Sequence, residues 1–355
     1  MAVWDMKNAL GRGSSTVVPL GSNYLSVRLQ NALWSCHRVM AGKDLLHFSD
    51  LSGDDLRNLV HLAELLKEAQ KSRFTHTLLA GKTLGMVFDK SSTRTRISFE
   101  VGMLQLGGHA LFLPGNMLQT GRGEPISDTA QVMSRYLDGV MIRTFRQQDV
   151  EEFAKYADIP VINGLTDEFH PCQLLADALT ILEHKGRLEG ITVAFIGDGN
   201  NLAHSWLQLA PKLGMNIRVA TPAGYQPMQW VVEEAKLHAV QQGTEVLVTT
   251  DPERAVEGAD VVYTDTWVSM GDEEEAEERL KEFEGYQVNE KLCALAKPDY
   301  VFMHCLPAHR GEEVSPDVID GPHSIIFDQA ENRLHAQKAV LAATMADASA
   351  FGEDL

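Results

Sequence analysis

Six short polar motifs each follow an apolar segment rich in β-forming residues, and their side chains could carry out chemistry together. They are Ser91-Ser92-Thr93-Arg94-Thr95-Arg96, Arg143, His170-Pro171-Cys172-Gln173, Asn200-Asn201, Asp265 with Ser269-Met270-Gly271, and His304-Cys305-Leu306-Pro307. In open α/β sheets, ligands bind beyond the carboxyl ends of the strands. Six segments that bring Arg, His, Asp, Asn and Cys to one edge predict a site for a small anionic substrate.

The first motif has the features of an anion site. It follows a predicted strand and opens a predicted helix, and the N–H groups and dipole at a helix N-terminus favour an anion. Hydroxyl donors come from Ser92, Thr93 and Thr95. Positive charge suited to phosphate oxygens comes from Arg94 and Arg96. The alternative is a capped helix with two surface arginines.

Two further motifs offer groups for a reaction centre. His170 stands at the head of a predicted helix, where an imidazole can donate to a developing oxyanion, and Gln173 lies one turn further on. Asp265, with the loop hydroxyl of Ser269, suits the ammonium and carboxylate of an amino acid. A satisfied terminal histidine and an ordinary helix cap are the alternatives.

The pair His304-Cys305 suggests either nucleophilic catalysis or metal binding. The spacing of these two residues with Cys172 and His309 fits no zinc template, so we expect no metal. A buried structural cysteine is the alternative.

The segment from Gly197 to Asn201 begins like a dinucleotide fingerprint, but Leu202 stands where the third glycine belongs. An NAD-dependent dehydrogenase is therefore a competing hypothesis that depends on this segment alone. Asn201 could instead hold a small polar substrate.

Composition excludes several classes of protein. The 355 residues suffice for about two domains, and a net charge of −18 argues against a general nucleic-acid surface. No apolar run approaches the roughly 18 residues of a membrane helix. Four cysteines in a chain of this length do not form a disulfide framework, which favours a reducing compartment.

Strands and helices alternate along the sequence, which predicts an α/β fold with two doubly wound parallel-sheet domains joined by interdomain helices. We expect the domains at residues 42–180 and 181–328, with a C-terminal helix in 329–355 that packs back on the first. A helix is predicted at residues 54–70 with a cap at Ser52 and Asp55, and a last strand at 324–327.

The first 41 residues differ from the rest. Between Lys7 and Lys43 the charged residues are basic only, and serines are scattered among them. This pattern is typical either of a disordered extension or of a cleavable transit segment. We expect a cytoplasmic protein, with the mitochondrial or plastid matrix as the alternative if the segment is a transit peptide.

Taken together, the motifs resemble those of the aspartate/ornithine carbamoyltransferase family. The segment STRTR and the segment HPCQ are similar to its carbamoyl-phosphate signatures, and Asp265 with Ser269-Met270-Gly271 and His304-Cys305-Leu306-Pro307 look like its ornithine-specific signatures. The resemblance begins near residue 42. It implies carbamoyl transfer from carbamoyl phosphate to the δ-amine of L-ornithine, which gives L-citrulline and phosphate.

The resemblance also implies roles for residues, and assigns 42–180 to carbamoyl phosphate and 181–328 to ornithine. Catalytic roles fall to Cys305, Arg143, His170 and Asp265. Ornithine would contact Asn201, Asp265, Ser269 and Met270. Carbamoyl phosphate would contact Ser92, Thr93, Arg94, Thr95, Gln119, Arg143, His170, Gln173, Cys305, Leu306 and Arg333.

The implied chemistry needs no metal or cofactor, because phosphate is already a good leaving group. The δ-amine must lose a proton before it attacks, and Cys305 beside Asp265 is the expected acceptor. Arg143, His170 and Thr95 would stabilise the oxyanion. The family further implies a homotrimer. Putrescine carbamoyltransferase and a non-catalytic binding module stay open as alternatives.

Overall fold

The structure, a computed structural model, describes residues 20–117, 123–268 and 275–347. The strands are β1 (Thr83–Phe88), β2 (His109–Pro114), β3 (Gly139–Arg143), β4 (Val161–Leu165), β5 (Thr192–Ile196), β6 (Asn216–Ala220), β7 (Val246–Thr249), β8 (Val261–Thr264) and β9 (Val301–His304). The helices are α1 (Leu20–Met40), α2 (Gly53–Lys71), α3 (Thr93–Gln105), α4 (Ile126–Met133), α5 (Gln147–Tyr156), α6 (Pro171–Lys185), α7 (Asn201–Lys212), α8 (Gln229–Gln242), α9 (Pro252–Val256), α10 (Ala276–Glu282), α11 (Glu290–Cys293), α12 (Pro316–Ile319) and α13 (Ile326–Met345).

The strands form two parallel sheets, as the alternating pattern predicts. The first has the order β2-β1-β3-β4, and the second has the order β7-β6-β5-β8-β9. Every pairing in both sheets is parallel. The predicted class, two doubly wound parallel sheets, is confirmed.

Each sheet reverses its strand order at one point, and ligand sites form beyond the strand ends at such a point. In the first sheet this point lies between β1 and β3, where Phe88 pairs with Arg143. In the second it lies between β5 and β8, where Ile196 pairs with Thr264. The predicted polar motifs follow these strand ends.

Helices α6 and α13 lie between the two sheets. Helix α6 begins at Pro171. A proline fits there because the N–H groups of the first turn have no acceptor inside the helix. The residues of α6 are buried as far as Ile181. Helix α13 packs on α2, α3 and α6. Its approach to α3 is close, because a Cβ on Gly102 would lie 3.3 Å from Lys338 Cγ. The two helices thereby fix the position of one sheet relative to the other.

The predicted helix near residues 54–70 is confirmed as α2. Ser52 Oγ accepts from the N–H of Asp55, and the Asp55 carboxylate accepts from the N–H of Ser52, which completes the expected capping box. Leu56, Leu59 and Leu66 lie on the buried face of the helix. The cap and the apolar face therefore both specify this helix.

The expectation of a disordered extension is wrong for residues 20–40, which form helix α1. Side chains at helical spacing bury one face against α2 and α13, and they are Leu25, Leu29, Leu33, Cys36 and Met40. This apolar stripe stabilises the helix through tertiary packing. Residues 1–19 lie outside the described part of the chain.

The predicted last strand at residues 324–327 is also wrong. Ser324 makes a single bridge to Phe302 beside β9, and the chain then turns into α13 at Ile326. The N–H of Ile325 donates to the Phe302 carbonyl at 3.0 Å. Ile325 and Ile326 are buried as part of a helix start, which explains an apolar run that resembles a strand. Within the described residues, no helix is long and apolar enough to span a membrane.

Candidate active site

Helix α3 begins at the switch point of the first sheet. Ser92 is its N-cap, and Ser92 Oγ accepts from the N–H of Thr95 at 3.2 Å. The first turn contains no acidic residue. Its positive end is therefore available to an anion.

Three arginines from different elements converge beside this helix end. Arg143 Nη1 and Arg333 Nη2 both donate to Thr95 Oγ1, at 3.4 and 3.1 Å. Arg94 Nη2 donates to the Leu306 carbonyl at 2.5 Å. Among the described residues no carboxylate forms an ion pair with any of the three. Three cations without a counter-ion make a strong site for an anion.

The electrostatics of the arginine cluster also favour a bound anion. Burial, and then repulsion from Arg333 and Arg94, lowers the pKa of Arg143 from 12.5 to about 9. Burial and the three arginines also hold the pKa of His170 well below its usual range, so its imidazole is neutral. His170 Nδ1 is buried without a hydrogen-bond partner among the described residues. A bound anion would compensate the charge of the arginine cluster, and a polar oxygen beside it would give His170 Nδ1 a hydrogen-bond partner.

The ends of β8 and β9 bring a thiol and a carboxylate together. Cys305 Sγ donates to Asp265 Oδ1 at 2.9 Å, and Asn200 Nδ2 donates to Asp265 Oδ2 at 3.1 Å. Burial, followed by the negative charge of Asp265, raises the pKa of Cys305 well above its ordinary value. The thiol is therefore protonated, which is contrary to the expected role of Cys305 as the proton acceptor.

His304 organises the loop that follows β9. Its Nδ1 accepts from the N–H of Leu306 at 2.9 Å, and its Nε2 lies 3.2 Å from Glu313 Oε1, with both side chains fully buried. Leu306 has a φ of +58°, a backbone conformation that is costly for a leucine. Its carbonyl faces Arg94.

A metal site was not expected, although donor atoms of Asp265, His304 and Cys305 lie within 4.8 Å of one another. Both nitrogens of His304 and the thiol of Cys305 already have hydrogen-bond partners. These side-chain atoms therefore have hydrogen-bond partners within the protein.

Most of the predicted site residues line one cavity of about 1020 Å³. It is lined by Ser92, Thr93, Arg94, Thr95, Arg143, His170, Gln173, Asn201, Asp265, Cys305, Leu306 and Arg333. Gln119, Ser269 and Met270 lie outside the described residues. Arg96 faces elsewhere, since its guanidinium stacks 3.9 Å from the ring centre of Phe112.

Gly199, in the turn after β5, is required by the protein's own packing. A Cβ on Gly199 would lie 2.4 Å from the Tyr225 carbonyl oxygen. Asn200 Oδ1 already accepts from the N–H groups of Leu202 and Ala203 at the start of α7, at 3.0 and 3.5 Å. The donors that would hold a pyrophosphate in a dinucleotide site are therefore occupied.

Two family models match the chain. The carbamoyl-P binding domain of aspartate/ornithine carbamoyltransferase matches residues 43–183, and the Asp/Orn binding domain matches residues 189–344. The chain belongs to the aspartate/ornithine carbamoyltransferase family. Helix α1 precedes the residues matched to the family.

Similar members of the family come from several organisms. An ornithine carbamoyltransferase of Anoxybacillus flavithermus is 59% identical over 85% of this chain and 96% of the relative. The solved ornithine carbamoyltransferase of Pyrococcus furiosus has a TM-score of 0.84 at 55% identity, over 86% of this chain and 97% of its own. A mitochondrial relative from Coccidioides immitis has a TM-score of 0.78 at 37% identity, over 86% and 98%.

Sequence reasoning missed two cationic residues of this family member's cavity. Lys90 is buried, pairs with Asp167 and lies 4.4 Å from the ring centre of Phe145. Arg279 Nη1 donates to Asp198 Oδ2 at 2.8 Å. The position of Lys90 directly before the first motif was a usable signal. Arg279 was obscured by the acidic residues that surround it in sequence.

Proposed function

We propose that this chain is an ornithine carbamoyltransferase, which transfers the carbamoyl group of carbamoyl phosphate to the δ-amine of L-ornithine. One observation carries the proposal. A cluster of three arginines, which has no carboxylate partner among the described residues, faces the Cys305–Asp265 pair across a single cavity. That arrangement suits an acyl phosphate on one side and an amine on the other.

On the first side, the phosphate would sit at the N-terminus of α3. Ser92, Thr93 and Arg94 would bind its oxygens through hydroxyl, amide and guanidinium donors. Arg143 and neutral His170 would donate to the carbonyl oxygen and stabilise the oxyanion as the amine adds. Preorganised donors of this kind contribute about 3–4 kcal/mol each to a transition state.

On the second side, Asp265 would receive the amino-acid substrate. Asn201 would contact it as well, and the proposed contacts from Ser269 and Met270 lie outside the described residues. Because the Cys305 thiol is protonated, we assign proton acceptance from the δ-ammonium to Asp265, which passes that proton to solvent. Cys305 would hold the carboxylate in place by its hydrogen bond.

The bonds and protons balance. The amine nitrogen forms a bond to the carbamoyl carbon, and the bond from that carbon to the phosphate oxygen breaks. The nitrogen loses its second proton to the departing phosphate. Each step uses side chains already placed around the cavity, so positioning and electrostatics supply most of the acceleration.

Alternative acceptors can be separated by a direct assay. Purified protein would be incubated with carbamoyl phosphate and, separately, ornithine, putrescine, acetylornithine or aspartate, and the ureido product measured by colour. We expect product with ornithine. Greater kcat/KM with putrescine would reassign the acceptor, and no product with any amine would favour a binding module.

The dehydrogenase alternative loses its basis in the segment after β5, where glycine packing and the Asn200 cap occupy the dinucleotide position. A fluorescence titration with NAD should show no saturable binding below millimolar concentration. Micromolar affinity for NAD would contradict this assignment.

We propose a homotrimer with domains at residues 42–180 and 181–328. The two family matches support this division, and the exposed side chains of Leu104, Leu111 and Phe112 near the edge strand β2 support association. Light scattering on the purified protein measures the assembly.

Bacterial and archaeal relatives support the proposed cytoplasmic location, which fractionation of the native cells would check.

A further inference from the structure

A buried carboxylate lies behind the cavity. Asp177 on α6 is fully buried and accepts three hydrogen bonds. Gln173 Nε2 and Gln329 Nε2 each donate to Oδ1 at 2.8 Å, and the Tyr263 hydroxyl donates to Oδ2 at 3.0 Å. None of the lysines and arginines in the described residues forms an ion pair with it. A carboxylate held by three neutral donors suggests a role in orientation.

An ionised carboxylate only accepts hydrogen bonds, so it fixes which way a neighbouring amide points. With both Nε2 groups turned toward Asp177, the amide oxygens must face the opposite way. Gln173 Oε1 accepts from Arg333 Nη1 at 2.7 Å. Gln329 Oε1 accepts from the N–H of His304 at 2.9 Å.

The two amides lead to opposite sides of the cavity. Arg333 belongs to the arginine cluster and also donates to Thr95. His304 directly precedes Cys305, the thiol that donates to Asp265. Tyr263 lies on β8 two residues before Asp265 and also accepts from Gln329 Nε2 at 3.0 Å. A single carboxylate is thus connected to the anion side and to the acceptor side.

We propose that Asp177 is a positioning residue that aligns the carbamoyl-phosphate side with the ornithine side by orienting Gln173 and Gln329. The inference rests on the proposed function and deepens it. Asp177 touches neither substrate. If its carboxylate is replaced by an amide, the new N–H₂ group faces either both glutamine donors, which share Oδ1, or the Tyr263 hydroxyl, whose proton then loses its acceptor.

Protonation of Asp177 should have a similar effect. Burial raises its pKa to about 7, while the hydrogen bonds from Gln173, Gln329 and Tyr263 act in the opposite direction. The charged or titratable groups that face it are Arg333 on α13, Tyr263 on β8 and Cys305 after β9. A protonated Asp177 carries a donor where an acceptor is needed, so activity should fall as the pH drops below about 7.

Asp177→Asn is the direct test, with Asp260→Asn as the matched control. Asp260 is also buried, and it accepts from the Thr192 N–H and from Lys297 Nζ at the opposite end of β8. We expect Asp177→Asn to lower kcat roughly 10- to 100-fold, to raise KM for carbamoyl phosphate, and to lose the acidic limb of the pH profile. Asp260→Asn should retain kcat within about twofold and keep that limb.

A second variant keeps the test decisive if Asp177→Asn does not fold, which circular dichroism would show. Gln329→Met removes the branch to His304 together with the donor to Tyr263, and it leaves the branch through Gln173 to Arg333 in place. We therefore expect kcat to fall while KM for carbamoyl phosphate stays near that of the wild type. In a double-mutant cycle, Asp177→Asn with Gln329→Met should lower kcat by less than the product of the single effects.

The outcomes separate the two proposals. A wild-type protein that makes no citrulline overturns the proposed function. An active wild type with unchanged kcat, KM and pH profile in a folded Asp177→Asn overturns the positioning role. A folded Gln329→Met with wild-type kcat, or kcat effects that multiply fully in the cycle, also overturns it.

Discussion

Arg94, Arg143 and Arg333 reach the cavity from α3, β3 and α13, and two of them share the hydroxyl of Thr95. Like charges held this close destabilise one another unless an anion joins them. Arg94 is the member nearest the helix end and is only half-buried, so its replacement should leave the fold intact.

Arg94→Ala should raise KM for carbamoyl phosphate roughly 10- to 100-fold, since a hydrogen bond to a charged group contributes about 1.5–3 kcal/mol. Steady-state kinetics at saturating ornithine measures this. Arg310→Ala is the matched control, because that guanidinium pairs with Asp320 outside the cavity. An unchanged KM in Arg94→Ala would remove Arg94 from the phosphate site.

Cys305→Ala should lower kcat by about 100-fold and leave the affinity for carbamoyl phosphate nearly unchanged, because the thiol holds Asp265, the carboxylate that we propose as the proton acceptor. Rapid-quench and steady-state rates would measure the change. Cys293→Ala removes a buried thiol in α11 as the control. Wild-type turnover without the Cys305 thiol would exclude it from the mechanism.

At the scale of elements, the turn between β5 and α7 positions Asn200 and Asn201 through a close backbone approach. Gly199→Ala should destabilise the fold by about 1–3 kcal/mol, because its Cβ would meet the Tyr225 carbonyl at 2.4 Å. Urea unfolding measures the loss. Gly285→Ala, which has open space around its Cβ, should cost much less. Equal stability of the two variants would contradict the packing role.

Strands are predictable from the sequence because they are short apolar runs, several of which are followed by a polar motif. Strands β3 and β6, at residues 139–143 and 216–220, are two runs of this kind. The run at 324–327 has the same composition, yet it is a helix start. Apolar runs of this length do not distinguish the two cases, since tertiary contacts decide them.

Helix α1 shows a different limit of prediction from the sequence. Leu25, Leu29, Leu33, Cys36 and Met40 recur every three or four residues, so the signal was present in the sequence. The basic charge and scattered serines of that segment indicate an extension or a transit segment, whereas its apolar spacing indicates the helix. Many cavity residues were predictable because strand ends meet at one edge. Asp177 lies inside α6, and its contacts with Gln329 and Tyr263 join residues far apart in sequence, so the sequence does not reveal them.

At the scale of the whole molecule, α13 carries a buried lysine against α3. Lys338 Nζ lies 2.6 Å from His76 Nε2 and 3.0 Å from Gln105 Oε1, without a carboxylate partner among the described residues. Burial lowers its pKa from 10.5 to about 7. Between about pH 7 and pH 10.5, Lys338 carries its proton in the unfolded chain but has lost it in the folded chain. The free energy of unfolding therefore rises with pH in this range.

Lys338→Met should therefore reduce the rise in the thermal unfolding temperature between about pH 7 and pH 10. Calorimetry at several pH values measures the slope. Lys291→Met is the control, because that side chain is 90% exposed. A slope equal to that of the wild type would mean that Lys338 stays charged in the folded protein.

The position of Arg333 in α13 has a consequence for synthesis on the ribosome. The start of α3 and Arg94, where we propose that the phosphate binds, emerge early, but the third guanidinium arrives only with the last described helix. A nascent chain that has completed the first sheet still lacks this cation. Substrate therefore cannot be held fully until almost every described residue has left the exit tunnel.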